Sequence, residues 1–443
     1  MQNAIVPPPS TYHPPPGAQR GRLLREGSWV VFGQVVSALA LVAGTRLLTE
    51  IVPPDTLGVC ALLIGLSGLA SNIFFYPELT ASLRFYPSLA AEGEAYKLRA
   101  TVGRSLCRTT GLLTAAILLT GVGAVYWTGL SYWAFLALAG TLAAETFRSF
   151  ETNLLGAARR QRPCALWTAA ENCARPVLAV LIVFLVGATP QAVLAGYAVA
   201  TAGVLGFFLL AVPREGKARG THQAGYDASL ARDIRRYALP LVPYAVVAWV
   251  SGVSDRYLLG AFLGPEATGV YSAAYGLVSK PILLLGTILE LTLRPVYFDA
   301  VACGNRALEA RTLRAWLWAT AGAAALGVLV VVLLRNWIAA LFLGEMYRGS
   351  AALMPWIAAG HALLVVAFVL EKPCYAHKRT GWVVLTQATG AILSVVLGIP
   401  FIRAYGLLGA AFAVPLYYGA QLLVTVLAKQ IVERTRSERR DPT

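Results

Sequence analysis

Runs of about 20 apolar residues recur along the whole chain, each long enough to cross the hydrocarbon of a bilayer as an α-helix. No other feature limits the possible folds as severely. Of the 443 residues, 57% are hydrophobic and 13% charged, where a water-soluble domain is roughly half apolar and a quarter charged. Folded in water, such a chain could not cover its apolar surface. In lipid the backbone must satisfy its own hydrogen bonds, which leaves helices or a closed barrel. These runs are too long and too uniformly apolar for barrel strands, which alternate.

The pattern predicts an all-α integral membrane protein with about 12 transmembrane helices. The first six expected spans are Ser28–Leu48, Leu57–Tyr76, Thr109–Trp127, Tyr132–Leu155, Cys164–Val186 and Gln191–Val212. The second six are Ala238–Leu263, Thr268–Leu293, Ala315–Leu334, Ala351–Glu371, Trp382–Ile402 and Leu407–Lys429. The chain then divides into a disordered Pro-rich cytoplasmic tail (1–27), an N-terminal six-helix bundle (28–212), a cytoplasmic linker (213–237), a C-terminal six-helix bundle (238–429) and a basic cytoplasmic tail (430–443).

The net charge of +15 suggests nucleic acid until the charges are placed on this scheme. The tails and the loops on their side hold 29 of the 37 Lys and Arg residues, among them Arg84, Lys97, Arg99, Arg104, Arg108 and Arg235. The opposite loops hold only Arg335, Arg348 and Arg403. By the positive-inside rule both termini are cytoplasmic. The basic excess is thus accounted for by topology, and no nucleic-acid partner is expected. Cys60, Cys107, Cys164, Cys173, Cys303 and Cys374 show no CxxC spacing and read as apolar fillers, neither metal ligands nor disulfides. No cofactor is expected.

The two halves echo each other. Residues 47–66 (LLTEIVPPDTLGVCALLIGL) and 258–277 (LLGAFLGPEATGVYSAAYGL) are identical at seven of 20 positions at a constant offset of 211. The matches include Pro54 with Pro265, Gly58-Val59 with Gly269-Val270, and Gly65-Leu66 with Gly276-Leu277. With six spans per half, the repeats run parallel, related by an axis along the membrane normal, which is a common transporter plan.

Ionisable groups at membrane depth are costly and line cavities or pair with one another. Lys280 falls mid-span beside Pro281, with Gly269, Ala273 and Gly276 on its face. It reads as a contact for a diphosphate or, equally, as a snorkelling or acid-paired structural lysine. Arg46 and Arg256 fall near the outer ends of spans one and seven. They are either cavity cations for phosphate or interfacial anchors. Asp255 is placed to pair with one of them or to couple an ion. Glu145, Arg148 and Glu151 on span four, and Glu171 and Arg175 on span five, have helical pairing spacings and similar depths. They read as a structural salt-bridge cluster, with an ion relay as the other possibility. His361 reads as a hydrogen-bonded core residue, Glu290 as the partner of Arg294, and Glu371 as meeting Lys372 or the interface.

The string Gly269-Val270-Tyr271-Ser272-Ala273-Ala274-Tyr275 after Tyr257-Leu258-Leu259-Gly260, and the opening Gly27-Ser28-Trp29 into a span ending Arg46-Leu47-Leu48, resemble the polysaccharide-repeat-unit (O-antigen-type) flippases of the multidrug/oligosaccharidyl-lipid/polysaccharide exporter superfamily. The resemblance implies two six-helix bundles around a central cavity, alternating access, and an undecaprenyl-diphosphate-linked oligosaccharide as cargo. The expected function is a secondary transporter that flips this cargo outward across the cytoplasmic (inner) membrane for surface or exported polysaccharide. Its expected partners are the cargo, membrane lipids, and a polysaccharide polymerase or export machinery. The alternative is a cation-coupled multidrug exporter of the same superfamily, which would favour an acidic residue inside the first span, where none lies between Glu26 and Glu50. The chain has no phosphate-binding Gly-rich loop and no large outer loop to host a catalytic constellation, so it is not expected to be an enzyme.

Overall fold

The computed structural model describes residues 16–213 and 225–438, and these hold helices and turns with no strand. In chain order the elements are α1 (Pro16–Ile51), α2 (Pro54–Ala70), a π-helical turn (Ser71–Phe75), α3 (Tyr76–Ala91), α4 (Ala95–Thr128), α5 (Tyr132–Ala157), α6 (Gln161–Val186) and α7 (Pro190–Ala211). They continue with α8 (Ala228–Ala238), α9 (Val242–Ala302), α10 (Arg306–Phe342), a 3-10 turn (Glu345–Ala352), α11 (Met354–Leu370), α12 (Lys372–Ala376) and α13 (Thr380–Glu438).

Among the described residues nine helical stretches are long and apolar enough to cross a membrane. Two of them cover two expected spans each. Non-helical backbone divides α9 at Gly264 (φ 86°, ψ 179°) and α13 at Gly406 (φ 58°, ψ −134°), a conformation that glycine reaches without a Cβ clash. The expected fourth span is α5, 26 residues long, whose Glu145, Arg148 and Glu151 lower its apolarity.

The helices outrun the spans read from hydropathy, because polar residues end an apolar run without ending a helix. α1 starts at Pro16, so residues 16–27 are helical where a disordered tail was expected. Proline's fixed φ suits the first position of a helix. The basic segment between spans two and three is almost wholly helical, with only Glu92–Glu94 between α3 and α4 and Gly93 at φ 74°. The linker contains α8, capped by Asp227, which accepts from the backbone N–H groups of Ser229 and Leu230. The Ser229 hydroxyl, with those N–H groups, holds the Asp227 carboxyl below the usual carboxylate range. α13 runs on to Glu438 into the expected basic tail. The prolines at 7–9 and 14–15, residues 214–224 of the linker and residues 439–443 lie outside the described residues.

Packing gathers the helices into two groups. α1, α5, α6 and α7 pack on one another with Cys60 of α2 in their core, and α9, α10, α11 and α13 do likewise. The second group has the larger core, around Tyr271, Tyr347, Met354, Ile357 and Tyr417. Between the groups, the α2–α9 contact is the most extensive. It is reciprocal. A Cβ on Gly58 would strike the carbonyl oxygen of Pro265, and a Cβ on Gly269 would strike that of Pro54. These are the positions related by the 211-residue offset. Such mutual contact, i on j and j on i, is what a local two-fold between parallel repeats produces.

Five hydrogen bonds extend this seam. Arg46 donates to the Leu343 carbonyl, the Gly344 N–H to Thr49 Oγ1 (2.9 Å), and the Tyr347 hydroxyl to the Val52 carbonyl (2.7 Å). Further along, Tyr257 donates to the Leu62 carbonyl (2.7 Å) and Trp249 Nε1 to the Gly65 carbonyl (2.8 Å). The seam thus runs from the Pro54 and Pro265 end of the molecule inward to Trp249.

A Gly269→Ala substitution forces a methyl against backbone that cannot yield, and overpacking of this kind costs roughly 1–3 kcal/mol. Gly276→Ala, two turns along the same helix, meets open space and is expected to change stability by no more than about 0.5 kcal/mol. Thermal melting of the purified protein should therefore fall by several degrees for Gly269→Ala alone. Equal melting of the two variants would remove the seam from the account.

Candidate functional site

Two charged clusters lie within the spans, and they differ in balance. The first joins α5, α6 and α7. Arg175 Nη2 lies 2.7 Å from Glu171 Oε1 and 3.4 Å from Glu145 Oε1. Arg148 Nη2 lies 3.4 Å from Glu145 Oε1, and its Nε is 3.0 Å from Glu171 Oε2, an ion pair without hydrogen-bond alignment. Thr201 stands between Arg175 Nε (3.0 Å) and Glu171 Oε1 (3.2 Å), accepting from the first and donating to the second. Glu171 is buried. Two carboxylates face two guanidiniums, so the cluster compensates itself. Glu151, expected beside Arg148, pairs instead with Arg99 of α4. The spacing within one helix showed which partners were possible, but helix packing chose another.

The second cluster lies in the α9, α11 and α13 group. Asp255 is buried and fully engaged. Its Oδ2 accepts from the Tyr271 hydroxyl (2.6 Å) and its Oδ1 from the Arg256 backbone N–H (2.8 Å). The Arg256 guanidinium packs over the Tyr275 ring, 4.3 Å from its centroid, and gives one hydrogen bond to the Gly252 carbonyl (3.1 Å). The rest of its five-donor fork has no recorded protein acceptor among the described residues. The Tyr275 hydroxyl lies 3.1 Å from His361 Nε2, whose ring turns its Nδ1 to the Ile357 carbonyl (2.8 Å). Tyr418 closes the cage and donates to the Ser251 carbonyl (3.3 Å). His361 is thus a core residue held at both nitrogens, as its isolation in the sequence suggested.

Lys280 lies two and a half helical turns beyond Tyr271 on α9, within electrostatic reach of Arg256 and His361. It is solvent-accessible, and among the described residues no hydrogen bond or ion pair engages its ammonium. The cluster therefore holds two cations against one carboxylate, with the carboxylate already occupied by a tyrosine and a backbone N–H. The structure brings together Arg256 and Asp255, with Lys280 within electrostatic reach of Arg256. It places Arg46 elsewhere, in the seam, where the same guanidinium pairs with Glu50 Oε2 (2.8 Å).

Further partnerships were not read from the sequence. Glu290 meets Lys372 at 2.7 Å as well as Arg294 at 3.5 Å. Glu371 is buried and accepts from Thr386 Oγ1 (2.8 Å) and Gln387 Nε2 (2.9 Å) of α13. Tyr271 was visible only as part of a motif string, since nothing local marks it as the donor to a carboxylate 16 residues earlier. The Arg46–Glu50 pair, by contrast, has the i,i+4 spacing that would have found it.

Glu171→Gln leaves two partly buried guanidiniums short of a buried carboxylate, and breaking such a pair costs up to about 3–5 kcal/mol. The Arg46–Glu50 pair is half open to solvent, and Glu50→Gln is expected to cost at most about 1 kcal/mol. Unfolding of both variants in mild detergent should show a loss for Glu171→Gln several times that for Glu50→Gln. Similar losses would mean that the inner cluster does not hold its helices together.

Residues 105–301 match the family described as "Polysaccharide biosynthesis protein". No curated protein matches the chain significantly. Solved structures do. The lipid II flippase MurJ in an inward closed conformation is similar over 92% of this chain and 87% of its own, with 11% identity and a TM-score of 0.70. An inward-facing multidrug resistance MATE family transporter of the MOP superfamily is similar over 91% and 96%, with 14% identity and a TM-score of 0.69. A MOP superfamily transporter from Pyrococcus furiosus, described as having a binding pocket of reverse polarity, is similar over 93% and 96%, with 14% identity and a TM-score of 0.60. The chain is a multi-pass membrane protein with the fold of the MOP superfamily, the superfamily that its sequence resembles.

Proposed function

We propose that this protein is a flippase that moves an undecaprenyl-diphosphate-linked oligosaccharide from the inner to the outer leaflet of the cytoplasmic membrane, for surface or exported polysaccharide. The observation that carries this reading is the excess of positive charge where Lys280 and Arg256 stand against the single carboxylate of Asp255. A cavity that takes a diphosphate out of water must replace its hydration with donors, and forked guanidinium and ammonium groups do so. An exporter of cationic drugs needs the opposite sign, and in the first span the described charges are Arg46 and Glu50, with Glu50 paired at its outer end. The family match to polysaccharide biosynthesis proteins supports the same cargo class.

In this reading both termini are cytoplasmic and α5 counts as a span, as do both parts of α9 and of α13, which accounts for the twelve spans read from the sequence. The Pro54 and Pro265 seam is then the outer gate, closed while cargo loads from inside. Asp255 with Tyr271 holds Arg256 in place, the Tyr275 and Tyr418 rings are available to sugar faces, and the prenyl tail stays in lipid. Motion draws on an ion gradient or on consumption of product outside, by polysaccharide polymerase or export machinery.

The test combines a gene deletion with complementation. Without the gene, surface polysaccharide should disappear and lipid-linked glycan should accumulate in the inner leaflet. Wild type should restore export, while Lys280→Gln, made at normal levels, should lower it at least about tenfold, the loss expected for one charge-assisted contact. Export at the wild-type rate by Lys280→Gln would remove the site. Unchanged polysaccharide with lost resistance to cationic drugs would replace the flippase by a multidrug exporter.

A further inference from the structure

A second cationic site lies at the edge of the fold, away from both buried clusters. α8 is amphipathic. Leu230, Ile234 and Ala238, at i, i+4 and i+8, are buried in a core with Phe75, Leu79, Tyr86, Leu98 and Leu106. Its other faces expose Arg232, Arg235 and Arg236. A helix with an apolar stripe and an arginine-rich polar face is suited to the plane of a membrane interface. Between α8, α3 and the first half of α4 is a cavity of about 470 Å³, whose polar lining includes Glu78, Arg104, Ser105, Arg108, Tyr226 and Arg235.

The charges here are arranged for an anion. Arg104 and Arg108 are one turn apart on α4, and Arg104 is braced over the Tyr226 ring at 4.9 Å. Arg235 faces them from α8. Among the described residues no carboxylate pairs with any of the three. Glu78 is within electrostatic reach of Arg235 without forming an ion pair, and its Oε1 is taken by the Ser105 hydroxyl at 2.7 Å. The next residue on the Arg104–Arg108 face is Leu112, which also lines the cavity and is 71% exposed. One helix face thus passes, turn by turn, from two guanidiniums to an apolar side chain bare to its surroundings. A soluble anion has no use for that leucine, whereas a lipid has a headgroup for the arginines and an acyl chain for the leucine.

We infer that this cavity binds the phosphodiester of an anionic glycerophospholipid from the adjacent leaflet, with Arg104, Arg108 and Arg235 on its oxygens and Leu112 against an acyl chain. Planar guanidiniums suit phosphate oxygens in this way. The lipid bridges α4 to α8, the helix that follows the first group of spans and precedes the second, so it fastens the connection between them.

The test uses the full chain, purified and stripped of lipid, with phosphatidylglycerol, phosphatidylcholine or inorganic phosphate added back. Native mass spectrometry should show phosphatidylglycerol retained over phosphatidylcholine, and melting should rise with phosphatidylglycerol only. The Arg104→Gln, Arg108→Gln, Arg235→Gln triple variant should lose at least about tenfold in retention. A triple variant with the same loss of charge at Arg306, Arg311 and Arg314 should retain the lipid as wild type does. Arg108→Gln alone, an exposed change that leaves the fold intact, should show a partial loss. Equal retention by the two triple variants, or no preference between the lipids, would overturn the inference. So would stabilisation by inorganic phosphate equal to that by phosphatidylglycerol, which would make the ligand a soluble anion.

Discussion

A charge at membrane depth has no water to fall back on and must find its compensation in protein or cargo. The interior of this molecule can be read through that constraint. In the first helix group Glu145, Arg148, Glu171 and Arg175 answer one another, and Thr201 completes the hydrogen bonding. Nothing is left for a ligand to neutralise, and the cluster acts as an internal tie between α5, α6 and α7. In the second group Asp255 is occupied by Tyr271 and a backbone N–H, which leaves Lys280 and most of the Arg256 fork open. An excess of positive charge there carries a cost that a bound anion would offset.

The repeat sharpens this contrast. At the 211-residue offset, the first copy has Gly44, Thr45 and Leu69 where the second has Asp255, Arg256 and Lys280. The positions shared by the copies are those of the seam, Pro54 with Pro265 and Gly58 with Gly269, and these touch reciprocally. What the two copies hold in common is therefore geometry. Each must bring a glycine onto the other's proline carbonyl, and only a residue without a Cβ fits there. The chemistry belongs to one copy, so a near-symmetric frame surrounds an asymmetric cluster.

These levels were not equally legible in the sequence. The class of fold followed from apolar run length, because the bilayer sets a fixed span. The repeat marked the residues of the seam, since Pro and Gly at a constant offset mark backbone requirements that survive where side chains differ, but not that the two copies touch there. The pairing of Glu145, Arg148, Glu171 and Arg175 was readable because depth and helical spacing agreed. Contacts chosen by packing between helices were not readable, such as Arg99 with Glu151, Glu371 with Thr386 and Gln387, and Tyr271 with Asp255. The helix ends also ran past the hydropathy limits, as at Pro16 and Ala95, because leaving the hydrocarbon ends the need for apolar residues without ending the helix. α8 was missed because it is too short and too charged to register as a span, although its buried stripe has a clear helical spacing.

Within each helix group the ties are ion pairs and large buried side chains. Across the seam they are glycine contacts, the packing of Val42 and Leu57 on the second core, and five hydrogen bonds to or from backbone groups. A hydrogen bond of this kind contributes roughly 0.5–1.5 kcal/mol net, so the five together amount to a few kcal/mol, and water can replace them once the seam parts. Opening the first cluster would instead strand buried charges at several kcal/mol each. Among the described residues, separation of the two groups along the seam therefore parts no buried ion pair, whereas parting α5 from α6 does. A difference of a few kcal/mol between two such states is within what a ligand's preference for one of them can supply. For the proposed transport, the anion that compensates Lys280 and Arg256 is the natural source of that preference.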